Sequence, residues 1–365
     1  MSSIKKRPNG RWRARYRDGR GKEPMKTFDR KVDAQRWLDE QTAALVTGQY
    51  VDPRAGKETF KTYAEQWRTR QIHRERTEET FESILRLHLY PTLGDVPLDR
   101  IRKADVQKLV KAWTVKAKPS TVEGRFTVLS IVLKAAVGDR RIIESPTAGV
   151  KLPPLPAKSA LVPITTETVV AVRDAMPGHF RALVTVGAGT GMRRSELLGL
   201  TVDRVDFLRK TVRVDRQLAK GSGDVPTWCE PKTVASDRLI PVADVVIEAL
   251  SAHLAAYPAH KTGLIFQSAI GTPLRPSTLW TAWHRAAKAV GTDATPHDLR
   301  HYYASVQIRG GQSIKVLQAL LGHKSATETL DTYGHLMGDE DDRSRAVVQS
   351  ALGIPAGAAR AEGAQ

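Results

Sequence analysis

The chain has 365 residues, of which 41% are hydrophobic and 26% charged, a composition that favours two or three globular domains over a disordered chain. Its 57 Lys and Arg residues exceed its 39 Asp and Glu residues, and the formal net charge of +18 predicts a polyanionic partner. The sequence lacks a long apolar run and the apolar segment of a signal peptide, and its single cysteine, Cys229, excludes an intrachain disulfide framework. These features favour a cytoplasmic protein that binds nucleic acid.

The positive charge is concentrated near the N-terminus. Residues 1–36 contain thirteen Lys and Arg residues against four acidic ones, a net charge of +9. Within 10–17 the arginines alternate with Trp, Ala and Tyr, which is the period of a half-exposed strand. A turn at Asp18 and Gly19 is predicted to lead to a second strand within 22–28. The charge asymmetry indicates a dedicated DNA-contacting unit.

A helix is predicted to follow this small sheet. Asp29 is its expected N-cap, and the residues behind it recur at helical spacing. Residues 1–56 are therefore predicted to form a small sheet-plus-helix domain with its linker. The expected apolar face of the helix comprises Val32, Trp37, Leu38, Ala44 and Leu45. The expected core of the unit comprises Trp12, Tyr16, Phe28 and Trp37.

Helical periodicity dominates the next segment of the chain. From residue 59 to about 148, apolar residues recur at the spacing of one helix face, as at Phe60, Tyr63 and Trp67. One helix in this segment is expected to break at Pro91. The pattern predicts an all-helical domain over residues 57–150.

The remaining chain mixes helices with short strands. Strands are predicted at 211–214 and 238–242, with a loop that carries Lys232 between them. Residues 151–353 are predicted as one mainly helical domain, and the Ala/Gly-rich residues 354–365 as a mobile tail. The fold class is therefore α+β with several domains.

Six residues in the C-terminal half suit attack on a DNA phosphodiester. That reaction needs a nucleophile, positively charged groups that stabilise the negative non-bridging oxygens, and a proton for the leaving oxygen. The sequence shows no carboxylate cluster suited to magnesium, but two arginines can supply the charge because a guanidinium stays ionised and binds phosphate through paired donors. In chain order the six residues are Arg193, Lys232, His297, Arg300, His323 and Tyr333.

These residues, spread over about 140 positions, resemble the active site of the tyrosine recombinases, the phage integrase family. The matching motifs are Thr-Gly-Met-Arg-Arg-Ser-Glu at 190–196, Pro-Lys-Thr at 231–233, His-Asp-Leu-Arg at 297–300 and Leu-Gly-His at 321–323. The resemblance implies a catalytic domain of the DNA breaking–rejoining type behind a SAM-like core-binding domain. It also implies a reaction without cofactor, metal or ATP.

The resemblance implies the roles of the phosphate-binding residues. Arg193 and Arg300 would clamp the scissile phosphate, and His323 would donate a hydrogen bond to it. Glu196 follows Arg193 by one helical turn and is predicted to hold its guanidinium in place.

The same resemblance implies how protons and the nucleophile are handled. Tyr333 would attack phosphorus to give a 3′-phosphotyrosine, and Lys232 would protonate the leaving 5′ oxygen. His297 would be the acid–base or hydrogen-bonding residue near the tyrosine, since histidine titrates near neutral pH.

Three further residues adjoin the second arginine. Tyr302 and Tyr303 are interpreted as packing residues, as most tyrosines on helices are. His301 has the i, i+4 spacing of a helical metal site relative to His297, but no acidic partner is evident, and no metal site is predicted.

The basic N-terminal module resembles the arm-binding domain of lambda-like and actinobacteriophage integrases. It implies double-stranded DNA with core and arm attachment sites as the partner, a homotetramer on DNA, a host DNA-bending protein and an excisionase. The expected location is the cytoplasm of a bacterial host, in association with the nucleoid. The predicted DNA contacts are Arg11, Arg13, Arg15, Arg17 and Lys26.

Several alternatives stay open at this stage. An integrase of a conjugative transposon would carry the same motifs, and a Xer-like resolvase would share the catalytic half without the basic module. A type IB topoisomerase shares the chemistry, and a DNA-binding protein with a degenerate site is the more distant alternative.

Overall fold

The computed structural model describes residues 2–17, 21, 23–46, 55–156, 161–219, 225–231, 234–336 and 341–352. The chain divides into two compact units, residues 1–158 and residues 159–365. Among the described helices, none is both long and apolar enough to cross a membrane. The α+β multidomain class predicted from the sequence is confirmed. The turn predicted at Asp18 and Gly19 and the tail predicted at 354–365 lie outside the described residues.

The chain begins with an antiparallel three-stranded sheet covered by one helix. Its strands, in spatial order, are β1 (Ser3–Lys6), β2 (Trp12–Arg15) and β3 (Met25–Phe28), and the helix is α1 (Lys31–Val46). The sequence predicted β2 and β3, whereas the short strand β1 was missed.

Aromatic side chains join this sheet to α1. The Tyr16 ring is buried and lies 5.3 Å from the Trp37 ring, centroid to centroid. The helix buries Ala34 and Leu38, whereas Val32 is 62% exposed, contrary to the predicted apolar face. Val32 precedes Ala34 by two positions, and residues two apart point to opposite sides of a helix.

A helical bundle occupies residues 55–156. It packs around a core that includes Phe60, Leu85 and Leu129. Its helices are α2 (Phe60–Arg70), α3 (Glu75–Ile84), α4 (Tyr90–Leu93), α5 (Lys103–Thr114) and α6 (Pro119–Gly138).

The prediction that a helix breaks at Pro91 is wrong. The segment Leu85–Leu89 is a π-helical stretch that joins α3 to α4, and the chain stays helical through Pro91 to Leu93. A proline inside a helix lacks an N–H and crowds the preceding turn, and the wider π turn just before Pro91 accommodates it.

The second unit is mainly helical, with short antiparallel strands. Its first part comprises α7 (Thr166–Ala175), α8 (Gly178–Thr190), α9 (Arg194–Leu198), β4 (Val205–Asp206), β5 (Thr211–Val214), β6 (Gln217–Leu218), β7 (Trp228–Cys229) and β8 (Arg238–Pro241). Its second part comprises α10 (Asp244–Ala256), α11 (Pro276–Val290), α12 (Asp298–Arg309), α13 (Ile314–Leu321), α14 (Ala326–Tyr333) and α15 (Asp341–Leu352).

The strands form a sheet of order β4-β5-β8 and a separate β6–β7 hairpin. Val212 of β5 pairs with Ile240 of β8, and both side chains are fully buried. The main core lies between this sheet and the helices α7, α8, α10 and α11. Helix α12 packs on α8, which brings together the segments that carry the predicted site residues.

Candidate active site

Arg193 stands at a sharp junction between two helices. Helix α8 ends at Gly191, whose φ of +62° is left-handed, and a Cβ there would collide with the Tyr303 ring, so glycine suits this position on both counts. Arg193 then caps α9, and its backbone N–H donates to Glu196 Oε2 over 2.8 Å. Its Nη2 donates to the Gly322 carbonyl over 2.8 Å.

Arg300 is buried, with 3% of its surface exposed. Its Nη1 donates to the Gly191 carbonyl over 2.8 Å, and its Nη2 to the Leu321 carbonyl over 2.7 Å. These carbonyls lie at the C-terminal ends of α8 and α13, where the helix dipole is negative and stabilises a cation. Burial, and secondarily the charge of Arg193, lowers the pKa of Arg300 to about 10, so it stays charged at neutral pH.

Glu196 joins two arginines at the base of the site. Its carboxylate is 2% exposed, receives Nη1 of Arg193 at 3.1 Å, and receives Nη2 of Arg238 at 2.8 Å. Burial alone would raise the pKa of Glu196, but hydrogen bonding and charge from Arg238, helped by Arg193, hold it below the usual value. Because both arginines engage it, this carboxylate is not free to bind a metal ion.

Arg238 is the residue that sequence reasoning missed here. Its side chain is 5% exposed, and its Nε donates to the Leu320 carbonyl over 2.7 Å. It therefore ties β8 to both Glu196 and the end of α13. The available signal was an arginine at the first position of an otherwise apolar predicted strand, since a buried arginine requires a paired charge.

Helix α12 carries Arg300, and His297 immediately precedes its first residue. Asp298 Oδ2 accepts hydrogen bonds from both the backbone N–H and the hydroxyl of Thr295, each over 2.7 Å, and α12 starts at Asp298. Pro296 and His297 form a turn ahead of the helix. Arg300 points into the protein, and His297 is exposed at the surface.

Tyr333 ends α14 and is 1% exposed. Its hydroxyl lies 2.9 Å from Nδ1 of His301, and its ring lies parallel to the His323 ring at 6.4 Å between centroids. Burial raises the pKa of Tyr333 to about 12, and the charge of Arg300 opposes this rise. The phenol is therefore protonated at neutral pH. The histidine in contact with it is His301, which meets His297 edge-on.

His323 follows the left-handed cap Gly322 at the end of α13. It is 6% exposed, and its Nδ1 is hydrogen-bonded to Thr329 Oγ1 over 2.8 Å. Burial, followed by the charge of Arg300, lowers its pKa to about 4, so the ring is neutral at pH 7. Its Nε2 lies 3.9 Å from Glu328 Oε1, beyond hydrogen-bond range.

Lys232 lies outside the described residues. The strands that bracket this part of the chain, β5 and β8, do pair as neighbours. The role of Lys232 therefore stays a prediction.

The strand register places the N-terminal basic residues on two faces of the sheet. Arg13 pairs with Lys5 and Arg15 with Ser3, and cross-strand partners share a face, so these side chains lie on the face opposite Trp12 and Ala14. Lys26 pairs with Ala14, on the face that α1 covers, and its Nζ lies 5.3 Å from the Phe28 ring centroid. Arg11 forms a 2.8 Å ion pair with Asp29. Arg17 follows β2 and is exposed.

Three family models match the chain: the N-terminal domain of phage integrases at 2–48, their N-terminal SAM-like domain at 58–114, and the phage integrase family at 164–339. These ranges cover about three quarters of the 365 residues. The putative prophage phiRv2 integrase of Mycobacterium tuberculosis is 29% identical over 352 residues, 93% of this chain and 92% of that protein.

Solved structures share the fold at low sequence identity. The integrase of the Tn1549 transposon, in complex with a circular intermediate DNA, gives a TM-score of 0.68 at 23% identity and covers 80% of this chain and 99% of that one. A lambda integrase dimer bound to a COC′ core site gives 0.60 at 19% identity, with coverage of 93% and 95%. The chain belongs to the phage integrase family. It is a tyrosine-type site-specific recombinase.

Two histidines of the site, the buried His323 and the half-buried His301, predict a pH-dependent stability. Burial lowers the pKa of both His301 and His323 to about 4, against about 6.5 in an unfolded chain. Between these values the unfolded state binds more protons, so stability is lost as the pH falls from 7 to 5, by roughly 1–2 kcal/mol for each histidine. The more exposed His301 should contribute the smaller share.

Melting temperatures at pH 7 and pH 5 measure this loss. Replacing His323 with glutamine should reduce the difference, and His284→Gln, which removes an exposed histidine of α11, should leave it unchanged. Equal melting temperatures of the wild type at both pH values would contradict the prediction.

Proposed function

We propose that this protein is a phage or prophage integrase that cuts and rejoins DNA at attachment sites through a 3′-phosphotyrosine on Tyr333. The observation that carries the proposal is that one site of the chain contains a buried tyrosine, two histidines beside it and two anchored guanidinium groups. These residues are Tyr333, His301, His323, Arg193 and Arg300. A phenol needs neighbouring cations to become a nucleophile, and Arg300 lies close enough to oppose the rise in the pKa of Tyr333.

The guanidinium groups are suited to bind one phosphate. Each Nη of Arg300 donates one N–H to a backbone carbonyl. The Nε–H and the second N–H of each Nη are then left to donate to ligand oxygens. Because the carbonyls fix the planar group in advance, little reorganisation is needed when charge develops on the phosphate. Arg193 is anchored in the same way and is a third exposed, which suits it to receive DNA.

The histidines and Lys232 complete the proposed chemistry. His323 can donate from Nε2 to a phosphate oxygen, since Thr329 occupies its Nδ1. The exposed His297 would hydrogen-bond the DNA at the rim of the site. Lys232 would protonate the 5′ oxygen as it leaves. The covalent link conserves the energy of the broken bond, so neither ATP nor metal is required.

The position of Tyr333 favours cleavage in cis. Its hydroxyl contacts a histidine of the same chain, on the helix that also carries Arg300. A tyrosine delivered to a neighbouring subunit would have to leave this buried position. We therefore propose that each subunit cuts with its own tyrosine.

The proposed partner is double-stranded DNA, bound by four copies of the chain. Lambda integrase, which shares the fold, is known as a tetramer bound to a Holliday junction. A host DNA-bending protein and an excisionase are proposed on the resemblance of the N-terminal module to arm-binding domains. An integrase of a conjugative transposon is the second candidate, favoured by the structural similarity to the Tn1549 integrase.

Covalent capture tests the proposed function. Plasmid DNA that carries the sequence flanking this gene is incubated with the protein in EDTA and quenched in SDS. The expected result is an SDS-stable protein–DNA adduct whose nucleotide, after nuclease and trypsin digestion, maps to the peptide containing Tyr333. DNA binding without any adduct would contradict the proposal, and relaxation without site preference would favour a type IB topoisomerase.

Removal of residues 1–56 is expected to weaken assembly on arm-site DNA while sparing cleavage at the core site. A sharper version replaces Lys5, Arg13 and Arg15 with alanine, because these residues share the uncovered sheet face. Loss of up to three phosphate contacts should weaken arm-site binding by roughly 10- to 100-fold and flatten its salt dependence. Gel shifts at graded salt measure the effect.

Arg30→Ala is the matched control for this face. Arg30 is exposed and pairs with Asp33 at the start of α1, and it does not belong to a strand of the sheet. Its removal should leave arm-site binding unchanged. Equal loss of arm binding and core cleavage in the triple variant would contradict the proposed arm-binding role.

A further inference from the structure

The Tyr333 hydroxyl has a specific partner that the proposed chemistry has not used. This hydroxyl is hydrogen-bonded to Nδ1 of His301 over 2.9 Å. His301 is half-buried on α12, directly after the phosphate-clamping Arg300. The other two histidines are placed differently, since His323 lies parallel to the Tyr333 ring with its Nδ1 on Thr329, and His297 is exposed.

We propose that His301 is the catalytic base that accepts the Tyr333 proton during cleavage and returns it during rejoining. The inference rests on the proposed function and names the proton acceptor of that reaction. The geometry satisfies the requirement that a general base lie within hydrogen-bond reach of the proton it removes.

The proton and electron balance is simple. The Oη of Tyr333 forms a bond to phosphorus while the bond from phosphorus to the 5′ oxygen breaks. The phenolic proton passes to Nδ1 of His301, and the leaving oxygen takes a proton from the general acid, which we assign to Lys232. In rejoining, the 5′ hydroxyl attacks phosphorus and returns its proton to Lys232. The bond from phosphorus to Oη breaks, and protonated His301 gives its proton to the departing Oη.

The charge state of His301 fits an acceptor. Burial, with contributions from His297 and Arg300 opposed by Asp298, lowers its pKa to about 4, so the ring is neutral at pH 7. A neutral imidazole protonated at Nε2 accepts the phenolic hydrogen at Nδ1. The negative phosphate of bound DNA would raise this pKa and strengthen the base.

Proton transfer before attack is unfavourable, because the pKa of Tyr333 is about 12 and that of His301 about 4. As the bond to phosphorus forms, the phenolic oxygen of Tyr333 donates an electron pair to phosphorus. Its proton then becomes more acidic than protonated His301, and the order of the two pKa values reverses. Transfer therefore accompanies bond formation, and the buried tyrosine stays unreactive until a phosphate occupies the site.

The test removes the need for the general acid. The core duplex cleaved in the capture experiment is prepared with sulfur in place of the scissile 5′ oxygen, because a thiolate leaves without being protonated. Single-turnover cleavage is measured for the wild type, His301→Ala, His301→Asn and Lys232→Ala. Asparagine keeps a polar atom near the position of Nδ1 without its basicity, and His284→Gln on α11 is the surface control.

Both His301 variants should cleave the oxygen and sulfur duplexes roughly 10²- to 10⁴-fold more slowly than the wild type. Lys232→Ala should recover on the sulfur duplex, and added imidazole should partly restore His301→Ala, which a purely structural role would not allow. Melting temperature and DNA retention verify that each variant is folded.

Two results would overturn the assignment of His301. One is a wild-type cleavage rate for His301→Asn, which would show that His301 positions Tyr333 without accepting its proton. The other is recovery of cleavage by His301→Ala on the sulfur duplex, which would show that His301 acts as the general acid for the leaving oxygen. Failure of the proposed function would be seen separately, as the absence of an adduct with the wild type itself.

Discussion

Replacing Tyr333 with phenylalanine is expected to lower covalent attachment to DNA by more than about 10⁴-fold while DNA binding is retained. The substitution removes the attacking oxygen and no other atom. The domain should stay folded, because the change deletes a single hydrogen bond to His301, worth about 1 kcal/mol. Adduct formation in SDS and gel shifts on the same duplex measure the two properties.

The neighbouring tyrosines of α12 provide matched controls. Tyr302 is hydrogen-bonded to Thr166 over 3.0 Å, and Tyr303 is buried against Gly191. Phenylalanine at either position should preserve the adduct. An adduct in Tyr333→Phe, or its loss in Tyr302→Phe, would show that the nucleophile has been assigned to the wrong residue.

Replacing Glu196 with glutamine is expected to destabilise the fold by about 3–5 kcal/mol. The carboxylate is 2% exposed, and the side chain of its partner Arg238 is 5% exposed. Glutamine has nearly the same shape but no charge, so Arg238 would keep a buried and uncompensated positive charge. Urea unfolding of the full-length protein measures the change in the free energy of unfolding.

Two further variants make this prediction specific. Glu248→Gln alters an exposed glutamate on α10 and should change stability by less than about 0.5 kcal/mol. Combining Glu196→Gln with Arg238→Met should cost less than the sum of the single changes, because the double variant leaves no unpaired charge at this position. A loss below about 1 kcal/mol in Glu196→Gln would contradict the buried ion-pair interpretation.

Glu196→Gln should also slow cleavage, because Arg193 loses the carboxylate that holds it. Single-turnover rates at saturating DNA distinguish this effect from weaker binding. The retained hydrogen bond from Arg193 to Gly322 should preserve part of the activity, so the loss should be smaller than in Tyr333→Phe.

The sequence by itself determined the order of the folded segments and most of their secondary structure. Strands β2 and β3 of the basic module, the helical segment after it and the paired strands at 211–214 and 238–241 are set by local periodicity, which short-range side-chain preferences produce. The motif around Arg193 was readable for the same reason, since a glycine helix cap and a glutamate one turn on act within a few residues.

The tertiary structure alone decided which groups meet. His297 and His301 lie one helical turn apart, and their spacing could not show that the second of them reaches Tyr333. That choice depends on the packing of α14 on α13 and of α13 on α12. Arg238 binds the carboxylate of Glu196, which lies 42 positions away in the sequence. Arg300 donates to the carbonyls of Gly191 and Leu321, which lie 109 and 21 positions away. Such contacts depend on how whole elements pack, and no local pattern in the sequence encodes that packing.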